Sequence, residues 1–207
     1  MFERIRHDRA RYEGGLADAG FWIVAVYRFG MWAASLGNPL LRRPMWWLYR
    51  LARLPLLPFK VHLWAGPRGA RIAPGLVLIH PNNVMIGAGV EIGEDCLVFH
   101  DVTIGTGPLP GVPKIGRQVD IYVGARVLGG ITIGDGAMIG ANCVVTRDIP
   151  AGSVVLAPPC KVIPRSLSPY ASAADRRAAP AAGAGVGVGV GVGAEAEAGA
   201  SPARSEA

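Results

Sequence analysis

The sequence predicts a mainly-β chain built around a parallel β-helix, with a helical region before it and a low-complexity tail after it. Three observations carry that reading: a six-residue apolar beat, an N-terminal concentration of aromatic and basic residues, and a final stretch of glycine, valine and alanine.

The beat begins in "GLVLIHPNNVMIGAGVEIG". Ile86, Ile92, Val98 and Ile104 are spaced by six, and after an interruption the series resumes at Ile115, Ile121, Val127, Ile133, Ile139 and Val145. A second column two residues earlier holds Val84, Val90, Cys96, Val102, Val119, Ala125, Ile131, Ala137 and Cys143. An amphipathic helix repeats at about 3.6 residues and a half-buried strand at about 2. Neither period fits, whereas a hexapeptide period belongs to a parallel β-helix. Each hexapeptide supplies one short side, its aliphatic residue points inward, and a small residue lets the backbone turn the corner.

The other two parts follow from composition. Residues 1–64 carry ten Lys/Arg against four Asp/Glu, while 65–167 carry eight against seven, so the +6 net charge is localised in the first part. "GFWIVAVYRFGMWAASLGN" reads as a helix stopped by Gly37-Asn38-Pro39, and "RRPMWWLYRLARL" as a second helix opened by Pro44 and ended before Pro55. Trp46, Trp47, Leu48 and Leu51 either pack on the β-helix or a neighbouring subunit, with arginines reaching outward, or rest on a membrane surface. No nucleic-acid motif accompanies the charge. The apolar run "FWIVAVYRFGMWAA" is broken by Arg28 and is shorter than the ~20 residues of a membrane span. Residues 168–207, with their Gly-Val alternation, read as a disordered tail. Three cysteines give no disulfide framework; Cys96, Cys143 and Cys160 are read as reduced thiols, as in a cytoplasmic protein.

Counting sides places a chemistry-bearing column on the outer surface. Leu78, Ile86, Ile92 and Val98 are successive inward positions, with two extra residues near Asn82-Asn83. Three sides make a coil, so Val98 lies one coil from Leu78, and His80 and His100, each two places further on, share one outer column. The same offset after Ile121 and Ile139 adds Val123 and Ala141. The interruption "GTGPLPGVPK" at 105–114 is expected to loop out as an arm.

Residues 72–163 resemble the serine acetyltransferase branch of the hexapeptide acyltransferases. The matching segments are "GLVLIH", "VTIGTG", "PGVPKIG", "VLGGITIGDGAMIGANCVVTRDIPAGSVV" and "PPCKVI", and the arginine of "YRFG" resembles that family's helical region. The resemblance implies a left-handed β-helix, a homotrimer or a multiple of one, and acetyl transfer from acetyl-CoA to a hydroxyl, with coenzyme A between neighbouring prisms. It makes His80 the general base: an imidazole titrates near neutrality, so it can accept the hydroxyl proton and return it to the thiolate. It places coenzyme A along Gly105, Thr106, Val123, Gly124 and Ala141, with Lys161 at the nucleotide end. No cluster has metal-ligand spacing, so no metal is expected.

The acceptor half of the site departs from the family pattern. The family sets an aspartate before the histidine to hold the serine ammonium, and here the residue is Ile79. A second family aspartate falls near Ala65, and an arm histidine falls at Val112. His100 and Asp101 are therefore candidates for substrate contact beside Ile79. The expected activity is serine O-acetylation, with a sugar or polysaccharide hydroxyl as the alternative acceptor and a catalytically decayed trimeric scaffold as a second alternative.

Overall fold

The computed structural model of the chain describes residues 1–158, and residues Met1–Pro159 form one compact unit. Three helices come first: α1 (Phe2–Ala10), α2 (Ala19–Ser35) and α3 (Pro39–Ala52). Short strands follow in coil order: β1 (His62–Leu63), β2 (Arg71–Ile72), β3 (Val77–Ile79); β4 (Met85–Ile86), β5 (Glu91–Ile92), β6 (Leu97–Phe99); β7 (Thr103–Gly105), β8 (Lys114–Ile115), β9 (Asp120–Ile121); β10 (Arg126–Leu128), β11 (Thr132–Ile133), β12 (Met138–Ile139); then β13 (Val144–Val145) and β14 (Val154–Val155). Strands of successive coils pair in parallel, giving three sheets with orders β1-β4-β7-β10-β13, β2-β5-β8-β11 and β3-β6-β9-β12-β14. This is a three-sided parallel β-helix.

The register is the one the six-residue count requires. Ile86 pairs with Ile104, Ile92 with Ile115, and Val98 with Ile121. All ten beat residues and all nine of the second column are buried. Cys96 and Cys143 are free, buried thiols; burial pushes the Cys96 thiol up to about 11, which suits packing rather than reactivity. Cys160, Lys161 and the tail lie outside the described residues.

The first coil would expose an unpaired strand edge, and the helices cover it. Arg28 on α2 donates through Nε to Asp8 Oδ2 on α1 at 2.9 Å, and through Nη2 to the Ala73 carbonyl at 2.6 Å. Its Nη1 donates to the Ile72 carbonyl. Asp8 Oδ1 accepts from the Gly75 amide at 2.7 Å, while the Tyr12 hydroxyl accepts from the Leu78 amide at 2.9 Å and donates to the Leu76 carbonyl at 3.2 Å. Tyr27 donates to the Ala70 carbonyl. Side chains from the helices thus replace the strand that a preceding coil would supply. Close approach is also required: a Cβ on Gly20 would lie 2.5 Å from the Leu78 carbonyl oxygen.

Arg28 and Asp8 are buried, their side chains only 4% and 1% exposed, because the first coil offers Arg28 carbonyls. One expectation needs correction. α3 starts at Pro39, capped by Asn38 Oδ1 accepting from the Leu40 amide at 2.9 Å, so Pro44 falls inside the helix. Trp47, Leu48 and Leu51 are exposed rather than packed on this chain's own β-helix, since Tyr49 occupies the side turned toward α2, which leaves the neighbouring-subunit and membrane-surface alternatives. The 105–114 segment loops out of the coil between β7 and β8, with 106–111 exposed, and folds back onto Gly129-Gly130, where a Cβ on Gly130 would be 2.3 Å from the Pro110 carbonyl oxygen.

Removing one member of a buried pair strands the other's charge, at a cost of about 3–5 kcal/mol. Arg28→Met should therefore lower the unfolding free energy by about that amount in urea titration, where a surface change such as Arg147→Met costs about 0.5 kcal/mol or less. A loss of the surface size would show that the pair does not hold the first coil.

Candidate active site

The predicted column is formed. β3 pairs with β6 so that Leu78 faces Val98 and Ile79 faces Phe99. That register brings His80 and His100 together on one outer corner, with ring centroids 6.4 Å apart at 63°. Val98 to Ile121 and Ile121 to Ile139 continue the register, which sets Val123 and Ala141 further along the same column. His80 is exposed and His100 half-buried, with the His100 Nδ1 buried and unpartnered.

Local backbone explains why the histidine sits there. The regular corner column is Asn83, Asp101, Gly124 and Asn142, all with positive φ. The two extra residues before it throw His80 into a left-handed conformation of its own, at φ 48. A non-glycine residue in that region carries strain, and strain of this kind gathers at functional positions. The bulge turns the imidazole out of the ladder and toward solvent.

Asp101 is already engaged. It accepts from Asn83 Nδ2 at 2.6 Å and from Arg126 Nη2 at 3.2 Å on each carboxylate oxygen, and Arg126 Nη1 also reaches its main-chain carbonyl. The hydrogen bond from Arg126 holds the Asp101 carboxyl below the usual carboxylate range, aided by Asn83. Ile79 is half-buried against Tyr12, Phe21 and Val77, so it serves packing between the helices and β3. Phe99 and Tyr122 stack beside the column with centroids 4.9 Å apart.

The small-residue end has room beside it. A Cβ at Gly105 would meet nothing within 4 Å, although the residue is buried, while Thr106 and Ala141 are exposed. Gly124 has a structural reason instead: at φ 72 its Cβ would lie 2.1 Å from Asn142 Oδ1. The amides of Gly124 and Asn142 donate to the His100 and Val123 carbonyls of the preceding coil, at 3.3 and 2.8 Å, so they secure the corner rather than stand free for a ligand. Among the described residues, no group of three His, Cys, Asp or Glu is placed to hold a metal ion. A groove of about 790 Å³ lies between the helices and the β2-β5 sheet, lined by Arg4, Tyr27, Arg71 and Glu91; it contains neither histidine.

Comparison with known proteins decides the family. A serine acetyltransferase from Synechococcus elongatus is 34% identical over 169 residues, covering 80% of this chain and 66% of that protein. The chain belongs to the serine acetyltransferase-like branch of the hexapeptide-repeat acyltransferases. Solved structures agree: a Neisseria gonorrhoeae serine acetyltransferase in complex with serine is 27% identical, with a TM-score of 0.60, covering 78% of this chain and 68% of that one. A Brucella abortus serine acetyltransferase in complex with coenzyme A is 25% identical, with a TM-score of 0.60, covering 78% and 67%. No family model matches the chain. The chain spans no more than about two thirds of the length of these curated relatives, 66% for the Synechococcus protein and 57% for a Helicobacter pylori one.

Within this hexapeptide family member, sequence reasoning missed Arg126, Asn83, Phe99 and Tyr122. Arg126 was the findable one, since its register partner Thr103 places it just past the Asp101 corner. The Asp101–Arg126 pair predicts a pH signature. A carboxyl held low in the folded state contributes stability above its unfolded pKa, and that contribution is lost as pH falls through its lowered folded value. Arg126→Gln should move the Asp101 titration upward in carboxyl-carbon NMR. An unmoved titration would mean that Arg126 does not hold the corner.

Proposed function

We propose that the chain is an O-acetyltransferase that uses acetyl-CoA and activates an acceptor hydroxyl with His80. The observation that carries the reading is the single outer column in which His80 and His100 lead into Val123 and Ala141, with open space at Gly105. His80 accepts the hydroxyl proton as the oxygen attacks the thioester carbonyl carbon. The tetrahedral intermediate collapses, the carbon–sulfur bond breaks, and His80 returns the proton to the departing thiolate. His100, next in the column, positions the acceptor. Coenzyme A follows Gly105, Thr106, Val123, Gly124 and Ala141, in a groove completed by a neighbouring protomer of a trimer.

L-serine is the first reading for the acceptor: the relatives are serine acetyltransferases, and a solved relative holds serine. The reaction would then serve cysteine biosynthesis in the cytoplasm. Among the described residues, no helix is long and apolar enough to cross a membrane. A sugar hydroxyl is the second reading, favoured by one observation. Asp101, the acid nearest the histidines in sequence, is neutralised by Arg126, and Ile79 supplies no charge to hold an ammonium. A neutral acceptor needs none.

Release of free thiol from acetyl-CoA, measured with L-serine and with a panel of sugars, chooses between the two. No release with any acceptor would leave the scaffold alternative. With the active acceptor, His80→Ala should lower kcat roughly 10²–10⁴-fold while coenzyme A binding is kept. His100→Ala should raise KM more than it lowers kcat; His100 essential with His80 expendable would reverse the roles. Sedimentation should give a trimer or its multiple, and an active monomer would defeat the shared groove.

A further inference from the structure

α3 is amphipathic in the opposite sense from a helix packed on a core. Its one buried residue is Tyr49, whose ring lies so close to α2 that a Cβ on Gly30 would be 2.5 Å from it. The apolar stripe runs along the other side at helical spacing, with Leu40 81%, Trp47 67% and Leu51 61% exposed. The 3-10 turn that follows, Leu54–Phe59, extends it with exposed Leu54 and Leu57.

Basic residues frame the stripe. The Arg50 guanidinium lies 5.1 Å over the Trp47 ring, and Arg42 and Arg43 line a hollow of about 280 Å³ with Trp46, Trp47 and Pro67. From Asp18 to Glu91 the chain has 72 intervening residues without one Asp or Glu, and with eight Lys/Arg. The surface is apolar and cationic, and its own segment offers no internal counter-charge.

We propose that this face binds an anionic lipid bilayer, laying α3 in the interface plane. The leucines and Trp47 enter the headgroup–acyl boundary, and the arginines hold lipid phosphates. A second copy paired through the same face fits it less well. A twofold pairing of the stripe would set Arg43 and Arg50 against their own counterparts, with no acid in the segment to relieve them. The proposal does not depend on the acetyltransferase reading, because its measurements use no acceptor or coenzyme.

Vesicle co-sedimentation of the full chain tests it. Phosphatidylglycerol–phosphatidylcholine vesicles should bind the protein, pure phosphatidylcholine vesicles should not, and raised salt should weaken binding. The double variants Trp47→Ser/Leu51→Ser and Arg43→Gln/Arg50→Gln should each weaken it by about tenfold or more, with the circular dichroism spectrum unchanged. Should the first pair disturb folding, the arginine pair decides alone. Absence of binding to anionic vesicles, equal binding to both vesicle types, or binding untouched by the folded variants would overturn the proposal. So would a fall in sedimentation mass in Trp47→Ser/Leu51→Ser, which would assign the stripe to a second copy.

Discussion

The structure depends on how the first coil is closed. A parallel β-helix is a stack in which each coil satisfies the backbone of the next, so its first coil has polar groups with no coil above them. Here Arg28, Asp8, Tyr12 and Tyr27 meet those groups from the helices. A buried ion pair is poor evidence of stability by itself, since desolvation offsets much of its attraction. Asp8 and Arg28 are different from a simple pair because each also satisfies main-chain groups of residues 72–75. The helices and the β-helix are one unit for that reason.

Closure reaches toward the column of histidines. Tyr12 bonds Leu76 and Leu78, and Ile79 packs against Tyr12 and Phe21, so the helices grip the chain up to the residue before His80. The strand is thus fixed immediately before the backbone enters its left-handed turn. On the far side, Asn83 and Arg126 bind Asp101 and tie two further coils to the same corner. A general base needs its position held to within a fraction of an ångström. The support on both sides of the His80 bulge favours the role proposed for it.

Much of this was legible in the sequence because the six-residue period converts position into geometry. Counting from Leu78 through the two-residue insertion gave the partners of His80 and His100 without any knowledge of side-chain packing. The exact destinations of Arg28 and of the α3 stripe were not legible. Polarity suggests that arginine lies outside and leucine inside, and both rules fail here. Arg28 is buried because Asp8, twenty residues earlier, meets it over carbonyls that exist only once the first coil forms. Arg126 differs: its register partner Thr103 marks its place beside the Asp101 corner, and only the direction of its side chain across that corner goes beyond the six-residue count.

The inward column also works as a reading frame. Because successive side chains alternate between faces, deleting one residue within a strand would turn its isoleucine outward and carry the error into the coils beyond. The departures from the six-residue count among the described residues, at 64–70, at Asn82-Asn83, at 106–113 and at 146–148, all fall between paired positions, and the register resumes after each. Length variation in this architecture is therefore tolerated only in the corners. A side chain leaves the repeat through an altered turn, as His80 does, while the strands on either side keep their phase.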